Sequence, residues 1–180
     1  ADHSQQGGVA QRELSAGDKE QLQALGYISA FTSQAATSLD PKKGVLIDAR
    51  LRDISQLIGQ KRTAEAEAGL QRLLDENPGL KMPHVYNLKY KLYTAEREFS
   101  KALNALRQAI ADFPDIDNFK QTLALALFDL KMYDKAENRC REVLARDPRN
   151  TRLTILLGEI REKQGRPADA LGFYAQALAI

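Results

Sequence analysis

Four alanines, Ala66, Ala102, Ala136 and Ala170, mark out the chain at near-equal intervals. Three prolines close acid-containing turns in step with them: Glu76-Asn77-Pro78, Asp112-Phe113-Pro114 and Arg146-Asp147-Pro148, spaced by 36 and then 34 residues. Repetition at a fixed period restricts the fold more than any local motif. Each repeat is one supersecondary unit that cannot bury its apolar face alone, so neighbours must stack and share a core. The material between the turns is helical in texture. From Asp40 onward the chain is rich in Leu, Ala, Glu, Lys, Arg and Gln, all good helix formers. Gly and Pro fall where helices should stop, β-branched runs are nearly absent, and no strand is predicted. The longer first interval reads as a small insertion around Gly79 to Met82.

Within this frame the units resemble the tetratricopeptide repeat (TPR) family. Leu157-Gly158, Gly165, Ala170, Tyr174 and Ala177 stand at the positions where that family places its Leu-Gly pair, turn, Ala, aromatic and Ala residues. Leu123-Ala124, Leu127, Ala136, Cys140, Val143 and Pro148 repeat the pattern one unit earlier. Tyr86, Tyr93, Ala102, Leu106, Ala109 and Pro114 do so before that, and Leu57, Ala66, Leu70, Leu73 and Pro78 come first. The resemblance implies an all-α fold: an α-solenoid of antiparallel helix pairs, coiled as a right-handed superhelix, with about four repeats. The implied units are 47–80, 83–116, 117–150 and 151–180, within an array over 45–180. Small side chains would let paired helices approach closely while large neighbours fill the remaining space. Thr154 and Arg161 depart from the aromatics preferred in the last unit. Arg50, Asp53 and Ile54 depart from the aromatic and Leu-Gly pair in the first.

Ahead of the array, residues 1–13 read as a flexible polar tail. Residues 14–27 read as a short helix between the N-cap candidate Ser15 and the stop Gly26, and 28–44 as a linker, with Asp40-Pro41 a helix start. The stretch from Leu14-Ser15 through Leu22-Gln23-Ala24-Leu25-Gly26-Tyr27 to Leu39-Asp40-Pro41-Lys42 is similar to the junction in bacterial sulfatase-type proteins of the alkaline-phosphatase superfamily. There a catalytic domain is followed by TPR units. That likeness implies the C-terminal appendage of an exported hydrolase, periplasmic or extracellular; without it the expectation is cytoplasmic. A start at Ala1 without an apolar leader fits a fragment better than a processed chain. The apolar last turn, with Ala177, Leu178 and Ile180, fits truncation or self-association through the C-terminal helix.

Catalytic chemistry is not predicted. The 180 residues carry 26 basic and 24 acidic side chains, a formal charge of +2, which points to neither nucleic acid nor membrane. No apolar run nears the ~18 residues of a membrane span. The lone Cys140 forbids an internal disulfide and sits at a core position, so it reads as a small buried hydrophobe. The sulfatase motif Cys/Ser-x-Pro-x-Arg is missing, because Cys140 is followed by Arg141-Glu142-Val143. His3 and His84 are isolated, and no metal or cofactor is expected. Lys131, Lys135, Arg139 and Arg146, interrupted by Glu142, read as a solvated face. Tyr86 and Tyr93 read as core packing rather than a stacking platform, and Tyr90 is undecided.

The expected partner is a protein or peptide held on the concave face. By resemblance, the first helices of the units line that face. They offer Asp48, Leu51, Ser55 and Ile58; then His84, Asn87, Lys91 and Thr94; then Asn118, Gln121, Leu125 and Phe128; then Arg152, Ile155, Glu159 and Glu162. The principal candidates are Asn87, Lys91, Gln121, Leu125, Phe128, Arg152, Ile155 and Glu159. The Lys/Asn arrangement that clamps a C-terminal carboxylate in chaperone-binding members is missing.

Overall fold

Proline at the first position, where its missing N–H costs nothing, opens the first helix of the computed structural model, which describes residues 41–180. The described residues form eight helices and no strand: α1 (Pro41–Gly59), α2 (Thr63–Glu76), α3 (Pro83–Ala95), α4 (Phe99–Asp112), α5 (Asp117–Asp129), α6 (Tyr133–Leu144), α7 (Thr151–Lys163) and α8 (Pro167–Leu178). The readings for 1–13, 14–27 and 28–40 lie outside the described residues. Positions 41–44, read as the end of a linker, form the first turn of α1. Consecutive helices pack as pairs: α1 with α2, α3 with α4, α5 with α6 and α7 with α8. The pairs stack into one unit over Pro41–Ile180. This is an all-α solenoid of the TPR type.

Close approach within each pair rests on small residues. Ala66, Ala102, Ala136 and Ala170 are 0%, 2%, 0% and 1% exposed. In the last pair the helices meet on bare backbone: a Cβ built on Gly158 would lie 2.4 Å from Cε1 of Tyr174. The tyrosine ring therefore covers the glycine, which is why no side chain fits there.

The turn inside each pair has the same geometry four times. Lys61, Arg97, Lys131 and Gly165 take φ of 61°, 61°, 59° and 75°. At each, the left-handed residue donates its N–H back to Ile58, Thr94, Phe128 or Glu162 at 2.8–3.1 Å. The next N–H reaches Leu57, Tyr93, Leu127 or Arg161 at 2.8–2.9 Å. These two bonds make a Schellman stop that satisfies carbonyls the helix would leave orphaned. Only one of the four uses glycine. The extra residues of the first interval lie in the loop 77–82, where Gly79 takes φ 80°.

Between pairs, α4 packs on α5 and α6 on α7. One core cluster runs from Tyr86 to Ile160 through Leu106, Phe119, Leu127 and Cys140. The unusual Thr154 and Arg161 are accommodated by this stacking. Thr154 is buried and donates its hydroxyl to the Asn150 carbonyl at 3.1 Å. Arg161 pairs with Glu137 of α6, both side chains 13% exposed, and also donates to Gln164 at 2.7 Å. Asn150 caps α7 by accepting from Leu153 N–H at 3.2 Å.

Thermal melts test both devices. Gly158→Leu and Ala136→Leu should each cost on the order of 1–3 kcal/mol by overpacking a pair. Gly165→Ala should cost about 1 kcal/mol by forcing a side chain into left-handed backbone, and Lys131→Gly should leave stability unchanged or raise it. Unaltered melting of the first three variants would refute this reading of the pair contact and the turn.

Candidate groove of first helices

Helical periodicity sets the candidate stripe. In α3 the buried residues are Val85, Tyr86, Leu88 and Leu92; in α5, Phe119, Leu123, Ala124, Ala126 and Leu127; in α7, Leu153, Thr154, Leu156, Leu157, Gly158 and Ile160. Positions at spacings of three and four between them stay at the surface. On α3, Asn87 is half-buried and Lys91 exposed. On α5, Gln121, Leu125 and Phe128 are half-buried. On α7, Arg152 is exposed, Ile155 is 39% exposed and Glu159 is half-buried. Leu125 and Phe128 rest their inner sides on the core. The Phe128 ring lies 5.7 Å from that of Tyr133, tilted by 57°, which fixes its orientation. Among the described residues, Asn87, Gln121 and Arg152 make no side-chain hydrogen bond. The flanking Thr94 instead donates to the Tyr90 carbonyl at 2.7 Å.

The first pair does not extend this row as the family register implies. Leu51, expected to face the groove, is 0% exposed and belongs with Ile47 and Ile54 to the buried stripe of α1. Those three residues are spaced i, i+4 and i+7, so they form one apolar face. Ile54 of that face lies against Gly69 of α2, and α1 also packs on α3. Asp48, Ser55 and Ile58, beside it, are half-buried. The apolar stripe of α1 overrides the register shared by the other first helices.

Other candidate chemistry falls into place by burial. Cys140 is 0% exposed, and burial, with Glu137 nearby, pushes its thiol up to about 12. It is a packed hydrophobe, not a nucleophile. Tyr86 is buried, its ring 6.0 Å from Phe113 in an edge-on contact. Tyr93 is half-buried with the Lys101 ammonium 5.5 Å from its ring centre. Tyr90 is half-buried against the core. His84 is exposed, and among the described residues no group of three or more His, Cys, Asp or Glu could hold a metal. No helix among them is long and apolar enough to cross a membrane. Of the expected basic face, Lys131 sits in a left-handed turn and Arg146 in the following loop; Lys135 and Arg139 lie on α6. The sequence reading missed Arg107 of α4, which joins these last two around a cleft. Residues on different repeats carry no spacing signal that could have grouped them.

Asp112 closes α4 and ties it to α3 and to the loop before it. Lys81 donates to it at 2.6 Å and the Tyr86 hydroxyl donates to its other oxygen. The Lys81 ammonium, then the Tyr86 hydroxyl, hold the Asp112 carboxyl below its usual range. Burial first, and then Asp112, raise the Tyr86 phenol from 10.0 to about 12.

Comparison with known proteins agrees with this architecture. The tetratricopeptide repeat family model TPR_16 matches residues 121–180, from α5 to the end of α8. No curated protein matches the chain in sequence. Two crystal structures of MamA superpose with TM-scores of 0.62 and 0.61 at 18% identity, covering 93% and 91% of this chain and 95% and 86% of theirs. PilF of Pseudomonas aeruginosa superposes with a TM-score of 0.59 at 20% identity, over 74% of this chain and 60% of its own. At such identities the likeness shows the fold.

The Asp112 cluster predicts a pH profile. The Asp112 carboxyl is depressed, so its stabilisation is present above its ordinary value of 3.8 and lost as pH falls through its lower folded value. The Tyr86 phenol is raised, so its contribution is complete below pH 10.0 and lost as pH rises to about 12. Urea titrations at pH 8 and above 10 should show that Tyr86→Phe loses less stability than the parent over the alkaline step. Parallel losses would rule out the Tyr86–Asp112 contact.

Proposed function

We propose that this chain is a protein-interaction module that takes a peptide or protein segment across α3, α5 and α7. The observation that carries this is the row of accessible side chains on three consecutive first helices. It combines apolar anchors (Leu125, Phe128, Ile155) with groups that bond to peptide backbone or charge (Asn87, Lys91, Gln121, Arg152, Glu159). A partly buried aromatic, Phe128, among polar and charged side chains is a composition suited to an interface. The TPR architecture supports a protein partner over a small molecule. The narrower reading, that the module is appended to a sulfatase-type exported hydrolase, rests on residues 14–42 of the sequence alone; neither the fold nor the comparisons add to it.

A specific observation favours a second reading, self-association through α8. On α4, Leu103 is buried and Ile110 half-buried beneath the next pair. Their equivalents on α8, Leu171 and Leu178, are 69% and 90% exposed. Ile180 adds to the same end at 37%. Exposed apolar surface of this kind marks a place of association.

Peptide-display selection against the folded chain, followed by alanine at Asn87, Lys91, Gln121 and Phe128 together, tests the first reading. The selected peptides should lose at least about tenfold in affinity while circular dichroism stays unchanged. Unaltered affinity would mean the groove is elsewhere. Light scattering over a concentration series tests the second: mass should rise with concentration and fall back in Leu171→Glu/Leu178→Glu, and a strict monomer removes it.

A further inference from the structure

The face of α5 opposite the groove row carries Leu123 and Leu127. Each stands two residues beyond a groove position, about 200° further round a helix that turns ~100° per residue. There α4, α5 and α6 surround a cleft of about 220 Å³. Ile110, Leu123 and Leu127 form its apolar part; Arg107, Lys135 and Arg139 supply its charge, and no carboxylate lines it.

The repeat itself shows what such a niche accepts. In the next unit, Phe173 stands at the register position of Arg139 and Arg161 at that of Leu127. Phe173 packs against the core, and Arg161 is tied to Glu137. That junction carries the chain's own aromatic side chain, packed on the core, and its own ion pair. At the α4–α5–α6 junction neither is present. The cations there are only weakly engaged. Lys135 has no ion pair among the described residues. Arg139 meets Glu142 at 2.6 Å with side chains 43% and 52% exposed, a solvated contact that a ligand carboxylate can exchange with. Arg107 donates to Asn104 at 2.9 Å.

We propose that this cleft is a second binding site, for an acidic peptide segment that inserts one large apolar side chain between the helices and sets flanking Asp or Glu carboxylates against Arg107, Lys135 and Arg139. The size fits: the cleft is smaller than the ~300–1,000 Å³ typical of small-molecule sites, and an inserted phenyl ring would take the part that Phe173 takes one unit on. Charge complementarity fits equally, because every ionised group that lines the cleft is positive. A flat anionic membrane would reach the cations but leave the recessed Leu123 and Leu127 uncovered.

The test uses the whole chain and a fluorescein-labelled peptide with one Phe in a run of Asp and Glu, followed by fluorescence polarisation. Saturable binding is expected. It should weaken about tenfold or more with Lys135→Glu/Arg139→Glu, and likewise when the peptide's Phe is replaced by Ser. Lys91→Ala/Gln121→Ala, on the opposite face of the first helices, should leave it unchanged. The proposal fails if the peptide does not saturate, if the charge-reversed protein binds equally well, if the Ser peptide binds as tightly, or if the groove variant alone abolishes binding. It also fails if the protein ignores the peptide but sediments with phosphatidylcholine–phosphatidylserine vesicles. Circular dichroism melts of each variant keep loss of fold distinct from loss of binding; all four substituted side chains lie at the surface of their helices.

Discussion

Everything in this fold depends on two helices coming close enough to share a core. The distance of approach is set by the smallest side chains at the crossing, and the four alanines are all fully or almost fully buried there. Once a pair closes at that distance, the larger residues around the crossing must be of a size to fill what is left. In the last pair even a methyl group is too much, because the Tyr174 ring occupies the space above Gly158. The pattern of small and large residues is therefore a geometric specification, and repeating it four times specifies an array.

The pair contact would be useless without a turn that delivers the second helix at the correct angle. All four intra-pair turns solve this with one left-handed residue and the same two backbone bonds. Three of them place a long basic side chain there, which stores local strain. The strain is tolerated because the packing of both flanking helices determines the turn from either side. Junctions between pairs are freer. Leu103 lies in the shared core at the middle junction, a shielded ion pair between Glu137 and Arg161 serves at the last, and the first relies on contact between α1 and α3. Diversity at the junctions gives each unit its own surface chemistry.

Much of the fold was legible in the sequence because it is written in short intervals. The alanines, the prolines, the additional residues near Gly79 and the burial of Cys140 all follow from spacing within a unit. Three features escaped the sequence reading. The stripe Ile47, Leu51, Ile54 was visible as a helical face, but the family register competed with it, and burial of apolar area decided in favour of the stripe. Lys61, Arg97 and Lys131 gave no sign of left-handed backbone, since only glycine advertises that conformation. Arg107, Lys135 and Arg139 are brought together by stacking of units, which no local pattern encodes. The candidate groove residues came from resemblance alone; the cleft on the other side needed coordinates.

Cys140 carries a consequence of its own. It is the one thiol in the chain, sealed at the centre of the cluster that runs from α3 to α7. Solenoids loosen section by section rather than all at once. A sulfhydryl in that place is invisible to solution reagents until the middle of the array has parted. The molecule thus contains its own gauge, in which the speed of labelling reports how often its interior breathes.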